Sequence, residues 1–295
     1  MGALESLTGV VIVVMIVSTM FSIGLGLNLR QIKSVLSNYS LMARGLIVNF
    51  LVIPLVAFAL TKIIPMDEVI AIGFLVASVC AGAPFGPKLA QIVKADVPFA
   101  VTMMVVLSGL TIIVTPIWLY VFLGPTTLSE ASIDPLPLIG QIIVIYLLPM
   151  IIGLFINTKY PTMAQKFRPP TLKLSNVAFP ITIALIVITN ISGLVSLFGS
   201  LGLITSIISV VIYGVLGYVF GGPKIGTRRS LVFDSAIRNG GLGILLAAQA
   251  FSNEPKVAVM VVVFGIIQTI VMLPIAALLG RRKPAEPGEI TQSPK

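Results

Sequence analysis

Long apolar runs set the first limit on what this chain can become. Stretches near or above the ~20 residues that cross a bilayer as a helix fall at about 7–27, 40–64, 68–88, 97–124, 135–157, 174–196, 199–221, 231–252 and 257–280. Only 10% of the 295 residues are charged, against about a quarter in soluble domains. The expected fold is an all-α integral membrane protein with nine transmembrane helices. The run after Met1-Gly2-Ala3-Leu4-Glu5 lacks a basic leader and is too long for a signal-peptide core, so it reads as a retained span.

The basic residues orient these spans. With the N-terminus outside, Arg30, Lys33, Arg44, Lys94, Lys159, Lys166, Arg168, Lys173, Lys224, Arg228, Arg229, Arg281, Arg282, Lys283 and Lys295 all fall on the cytoplasmic side. Lys62 and Lys256 alone fall outside, and Lys88 and Arg238 fall at helix interruptions. An N-out, C-in topology follows. The net charge of +9 is then a topology signal and asks for no nucleic acid. The Pro-rich stretch 282–295 reads as a disordered cytoplasmic tail.

Two runs are interrupted by residues that a continuous membrane helix avoids. Cys80-Ala-Gly-Ala-Pro-Phe-Gly-Pro-Lys88 contains Gly82, Pro84, Gly86 and Pro87, which free or remove backbone hydrogen bonds. Asp234-Ser-Ala-Ile-Arg-Asn-Gly-Gly241 sets Asp234 and Arg238 inside an apolar segment, where an unpaired charge costs several kcal/mol, and ends on Gly240 and Gly241. Unwound backbone at membrane depth is tolerated only where it lines a cavity or is buried in protein. Two such breaks, one in each half of the chain, mark a secondary transporter built from repeats.

Other classes fit less well. The chain has no His and one Cys, Cys80. This removes His-based metal sites and Ser-His-Asp or Cys-His catalysis. Asp234 is the one acidic residue deep in a span, whereas an intramembrane aspartyl protease needs two. No enzyme activity, cofactor or resident metal is expected. A channel has no need of two midplane breaks.

Four stretches, in order, resemble the bile acid:sodium symporter family. Met20-Phe-Ser-Ile-Gly-Leu-Gly-Leu27 is similar to its Met-Phe-x-Met-Gly-x-x-Leu, and Asn49-Phe-Leu-Val-Ile-Pro54 to its Gln-Phe-x-x-x-Pro. Cys80-x-Gly through Asp96 aligns without gaps with Cys-Pro-Gly-Gly-Thr-Ala-Ser-Asn through Gly-Asn/Asp. Asp234-Ser-Ala-Ile-Arg-Asn239 stands where the family has Glu-x-Gly-x-Gln-Asn. The resemblance implies inverted repeats, two broken helices that cross, and two domains. These are a panel (1–35 and 130–197) and a core (36–129 and 198–281), with an organic anion bound between them during alternating access. A bacterial inner (plasma) membrane is the implied location, and an organic anion and membrane lipid are the implied partners.

The family's sodium ligands map poorly onto this chain. Its first site corresponds to Gly86, Pro87, Ala100 and Met104, none with a side-chain oxygen, and to Asp234. Its second corresponds to Asn49, Asp234 and Arg238. Lys88 and Arg238 thus bring cations to the breaks. Unit charges about 4 Å apart repel by about 4 kcal/mol at an effective dielectric of about 20. The expectation is that these tethered cations replace the ions, leaving transport sodium-independent, with a residual sodium site at Asn49 and Asp234 as the alternative and Na+ or H+ as the coupling ion where one is used. Asn239, and less strongly Gln249, are candidate hydrogen-bonding residues for a carboxylate substrate. Simpler roles remain open: Lys88 ending its span and reaching the surface, Asp234 and Arg238 pairing at i, i+4, and Asn49 bonding between helices.

Overall fold

The computed structural model of the chain describes residues 2–27, 33, 37–130, 140, 143–189, 199–251 and 253–281. Among these, all long regular elements are helices: α1 (Gly2–Gly26), α2 (Tyr39–Ile47), α3 (Ile53–Ile63), α4 (Glu68–Val79), α5 (Phe85–Ile92) and α6 (Val97–Glu130). They continue with α7 (Leu148–Lys159), α8 (Pro161–Thr189), α9 (Leu201–Phe220), α10 (Ile225–Ala236), α11 (Gly240–Ala250) and α12 (Pro255–Arg281).

Among the described residues, six stretches are long and apolar enough to cross a bilayer: Ser6–Gly26, Tyr39–Ile63, Val97–Gly124, Leu201–Phe220, Ile225–Ala250 and Pro255–Gly280. The other three expected spans differ for separate reasons. Residues 68–88 are divided into α4 and the short α5. The 135–157 run lies partly outside the described residues, as do 190–196 of the 174–196 run and the expected tail 282–295. The 174–196 run also begins earlier than its hydropathy implied, because α8 starts at Pro161 and carries Lys166, Arg168 and Lys173 on helix rather than loop. Pro is favoured in a first helical turn, where its missing N–H has no partner to lose.

Proline also shapes the second span. α2 and α3 are joined by a π-helical turn, Val48–Val52, that contains Asn49. Pro54 cannot donate to the carbonyl four residues back, and the Phe50 carbonyl instead accepts the Trp118 indole N–H of α6 at 2.7 Å. π-Turns of this kind are frequent at functional sites.

Small residues set the helix spacing. α1 packs along α7 and α8. A Cβ added at Gly24 would lie 2.1 Å from the Met150 carbonyl, and one at Gly153 2.5 Å from that of Phe21. Such close approach replaces the hydrophobic drive that lipid removes. The Thr19 and Ser175 hydroxyls hydrogen-bond between α1 and α8. Elsewhere α9 packs on α10, and α12 packs on α4 and α11. The two groups meet where Met15 of α1 lies 3.6 Å from the Cβ position of Gly241.

At one end, the loop before α6 joins the start of α10: the Asp96 N–H donates to the Gly226 carbonyl at 3.2 Å, and the Ser230 hydroxyl to the Asp96 carbonyl at 2.7 Å. Arg229 reaches the Val93 carbonyl at 3.3 Å.

The α1–α8 contact gives a direct check. In a Cys80→Ala background, the pair Thr19→Cys and Ser175→Cys is expected to form a disulfide under mild oxidation, read as a mobility shift. Failure to cross-link would remove this packing. Gly82→Ala, at φ +80° and with its Cβ 2.3 Å from the Ser108 backbone nitrogen, should destabilise by at least about 2 kcal/mol and lower the unfolding temperature in detergent.

Candidate functional site

Both expected breaks are present, and both are shorter than their sequence motifs. The first leaves 80–84 non-helical and the second 237–239. Pro84 caps α5, while Gly86 and Pro87 lie inside its first turn. A proline there loses nothing, because the first turn's N–H groups have no helical partner. Gly240 and Gly241 likewise begin α11. These four residues delimit the breaks rather than forming them.

The two breaks are bonded to each other. The Asn239 backbone N–H donates to the Cys80 carbonyl at 2.7 Å, and its Nδ2 donates to the Gly82 carbonyl at 3.0 Å. Its Oδ1 accepts from the Leu242 N–H at 3.1 Å and so caps α11. One Asn side chain therefore starts the second half-helix and holds the first break open.

The remaining carbonyls freed by the first break go to α6. Ser108 Oγ donates to Gly82 O at 2.7 Å, Thr111 Oγ1 to Ala81 O at 3.2 Å, and Thr115 Oγ1 to Val79 O at 3.2 Å. Gly82 has to be glycine because its backbone lies against that helix at positive φ. The second break is held by α12. Gln268 Oε1 accepts the Arg238 backbone N–H at 2.7 Å, and its Nε2 donates to the Arg238 carbonyl at 3.1 Å. Ser108, Thr111, Thr115 and Gln268 were not singled out from the sequence. Hydroxyls at i, i+3 and i+7 on one face of an apolar span, and a glutamine within another, were the available signals.

Arg238 and Asp234 are the charged side chains buried among the described residues, at 1% and 2% exposure. Arg238 Nη1 donates to Asn49 Oδ1 at 2.7 Å and to the Ser235 carbonyl at 3.2 Å. Asn49, fully buried on the π-turn, donates through Nδ2 to the Gly45 carbonyl at 3.0 Å and to Ser235 Oγ at 3.2 Å. The Nε and Nη2 of Arg238 and both carboxylate oxygens of Asp234 have no hydrogen-bond partner. The i, i+4 pair is therefore not hydrogen-bonded. Its spacing presumed a continuous helix, but α10 ends at Ala236.

Asp234 instead lies against α5. A Cβ added at Gly86 would stand 2.7 Å from Asp234 Oδ1, so the chain is fitted to glycine where the resembling family has serine. Gly86, Pro87, Ala100 and Met104 are all buried and carry no side-chain oxygen. Lys88 is exposed on α5, in keeping with the simpler role of a span-ending lysine, and Gln249 is exposed on α11. The crossing thus assembles Asn49, Asp234, Arg238 and Asn239, without Lys88 or Gln249.

Residues 13–197 match the sequence profile described as the Sodium Bile acid symporter family. The chain is 23% identical over 273 residues to the probable sodium/metabolite cotransporter BASS1, chloroplastic, of Arabidopsis thaliana, a match taking in 91% of this chain and 66% of that protein. It thus spans just under two thirds of that relative's length. It is 25% identical over 280 residues to the human ileal sodium/bile acid cotransporter, covering 91% of this chain and 77% of that one. To the uncharacterized sodium-dependent transporter YocS of Bacillus subtilis it is 24% identical over 259 residues, covering 84% and 76% respectively. With its apolar helices and a profile match over more than half its length, the chain is an integral membrane protein belonging to the sodium bile acid symporter family.

Proposed function

We propose that the chain is a secondary transporter of a small or amphipathic organic anion, a carboxylate, and that it works without sodium. The observation that carries this reading is the 2.7 Å bond from Arg238 Nη1 to Asn49 Oδ1. It sets a permanent cation on an oxygen that a residual sodium site would need. The carbonyls of 79–82 are likewise taken by protein donors. The burden of replacing the ions then falls on Arg238 alone, because Lys88 is exposed.

The substrate reading is supported by a half-open cavity of about 230 Å³ lined by Gly240, Ile244, Val262, Gly265, Ile266 and Ile270. Its wall is apolar, and it starts at the first turn of α11, whose N–H groups favour an anion. A Cβ at Gly240 or Gly265 would meet nothing within 4 Å, so both glycines open onto this space. An amphipathic carboxylate fits such a wall, its head at the helix start and its tail between α11 and α12.

In this reading α1, α7 and α8 belong to the panel and the remaining helices to the core. The N-terminus faces outward, the halves are inverted repeats, and the two groups shift against each other to alternate access. The competing reading is sodium coupling through Asn49 and Asp234. It is favoured by the unpartnered Asp234 oxygens and by the sodium cotransport named for the relatives.

Uptake of radiolabelled glycocholate, pyruvate and pantoate into proteoliposomes separates the two. Equal rates in sodium and potassium media are expected; clear stimulation by sodium would favour the competitor. Arg238→Gln should cut sodium-free uptake at least tenfold and make uptake respond to sodium. Gly265→Trp should block uptake of the bulky glycocholate while leaving the unfolding temperature within a few degrees of the unsubstituted protein's.

A further inference from the structure

Among the described residues the buried charges are two, Asp234 and Arg238, and both are covalently part of the chain. Apart from the Asp234 carboxylate, whose oxygens have no hydrogen-bond partner, a mobile cation finds few ligands at the crossing. Asn49 Oδ1 holds the guanidinium, and the Val79, Ala81 and Gly82 carbonyls hold the α6 hydroxyls. The Cys80 carbonyl holds the Asn239 N–H. The positions corresponding to the family's first site, Gly86, Pro87, Ala100 and Met104, offer no side-chain oxygen.

A tethered cation differs from a bound one in a single respect: it comes back. A sodium ion released on the far side adds its charge to the transport cycle, whereas the Arg238 charge moves out and returns and adds nothing. The charge moved per cycle is then that of the substrate alone. Resting on the sodium-independent reading above, we infer that this protein is an electrogenic organic-anion uniporter, moving one net negative charge per monoanion, so that an inside-negative membrane potential drives it toward efflux. Its energy source and its direction are thus the opposite of sodium-coupled uptake.

The size of the effect follows from the charge. One elementary charge crossing 100 mV corresponds to a concentration ratio of about 50-fold at equilibrium. An inside-negative compartment would therefore be emptied of the anion, and concentrative uptake would need an inside-positive potential.

The test uses the full-length protein in sodium-free proteoliposomes, with valinomycin and potassium gradients to set the potential. Glycocholate, pyruvate and pantoate serve in turn as the only permeant anion. Inside-positive potential is expected to drive accumulation approaching about 50-fold at 100 mV, and inside-negative potential to speed efflux from preloaded vesicles. Sodium-free flux indifferent to the potential, or accumulation driven by a pH gradient instead, overturns this inference and leaves the sodium-independent reading standing. Flux that requires sodium overturns both. No flux of any of the three anions in any medium overturns the carboxylate-carrier reading and this one with it.

Discussion

A bilayer offers no water to an unpaired peptide group, and that constraint governs how this chain can break its helices. Each buried carbonyl or N–H left unsatisfied costs about 1–3 kcal/mol, so interruptions at membrane depth survive only if side chains supply partners. At the first break the partners are Ser108, Thr111, Thr115 and Asn239. At the second they are Gln268, which closes both backbone polar groups of Arg238, and the Cys80 carbonyl, which takes the Asn239 N–H. Each half of the molecule thus completes the hydrogen bonding of the other, and neither break has its observed form without the opposite one.

The same economy bears on Arg238, of whose three guanidinium nitrogens one is bonded. A guanidinium presents several donors in one plane. Nη1 alone serves both Asn49 and the Ser235 carbonyl, while the clamp by Gln268 fixes the Cα from which the side chain extends. A buried cation would otherwise cost several kcal/mol. Asp234, one turn earlier, is held differently: it has no hydrogen-bonding partner and lies against Gly86, where a side chain on α5 would collide with it. The glycine and the carboxylate are a matched pair, as the arginine and Asn49 are.

Much of this was legible in the sequence. The apolar runs gave membrane helices, and Gly82, Pro84, Asp234 and Arg238 located both breaks, because glycine, proline and charge each have a direct local cost in a membrane helix. What was not legible depended on partners distant in sequence. Pro87 is the same residue whether it breaks a helix or begins one, and only the position of α5 decides between them. Lys88 differs from Arg238 in facing outward, which depends on the rotation of an eight-residue helix. Ser108, Thr111 and Thr115 look like ordinary hydroxyls in a transmembrane span, and only the approach of residues 79–82 gives them a function.

A crossing closed by its own side chains constrains how the molecule could move. α4, α6, α11 and α12 and the two breaks are joined through bonds at Asn239, Ser108, Thr111, Thr115 and Gln268, so shifting any one of them would expose a carbonyl or N–H. α1, α7 and α8 are joined instead by the backbone approach at Gly24 and Gly153 and by the Thr19–Ser175 bond. Between these groups lie contacts such as Met15 against Gly241, which is apolar and can slide without orphaning a polar group. The proposed alternation therefore has its lowest-cost path along that boundary, as a displacement of one tied group past the other. The apolar cavity at Gly240 and Gly265 opens beside the crossing, so an anion seated there could travel with the tied helices and leave their hydrogen bonds intact.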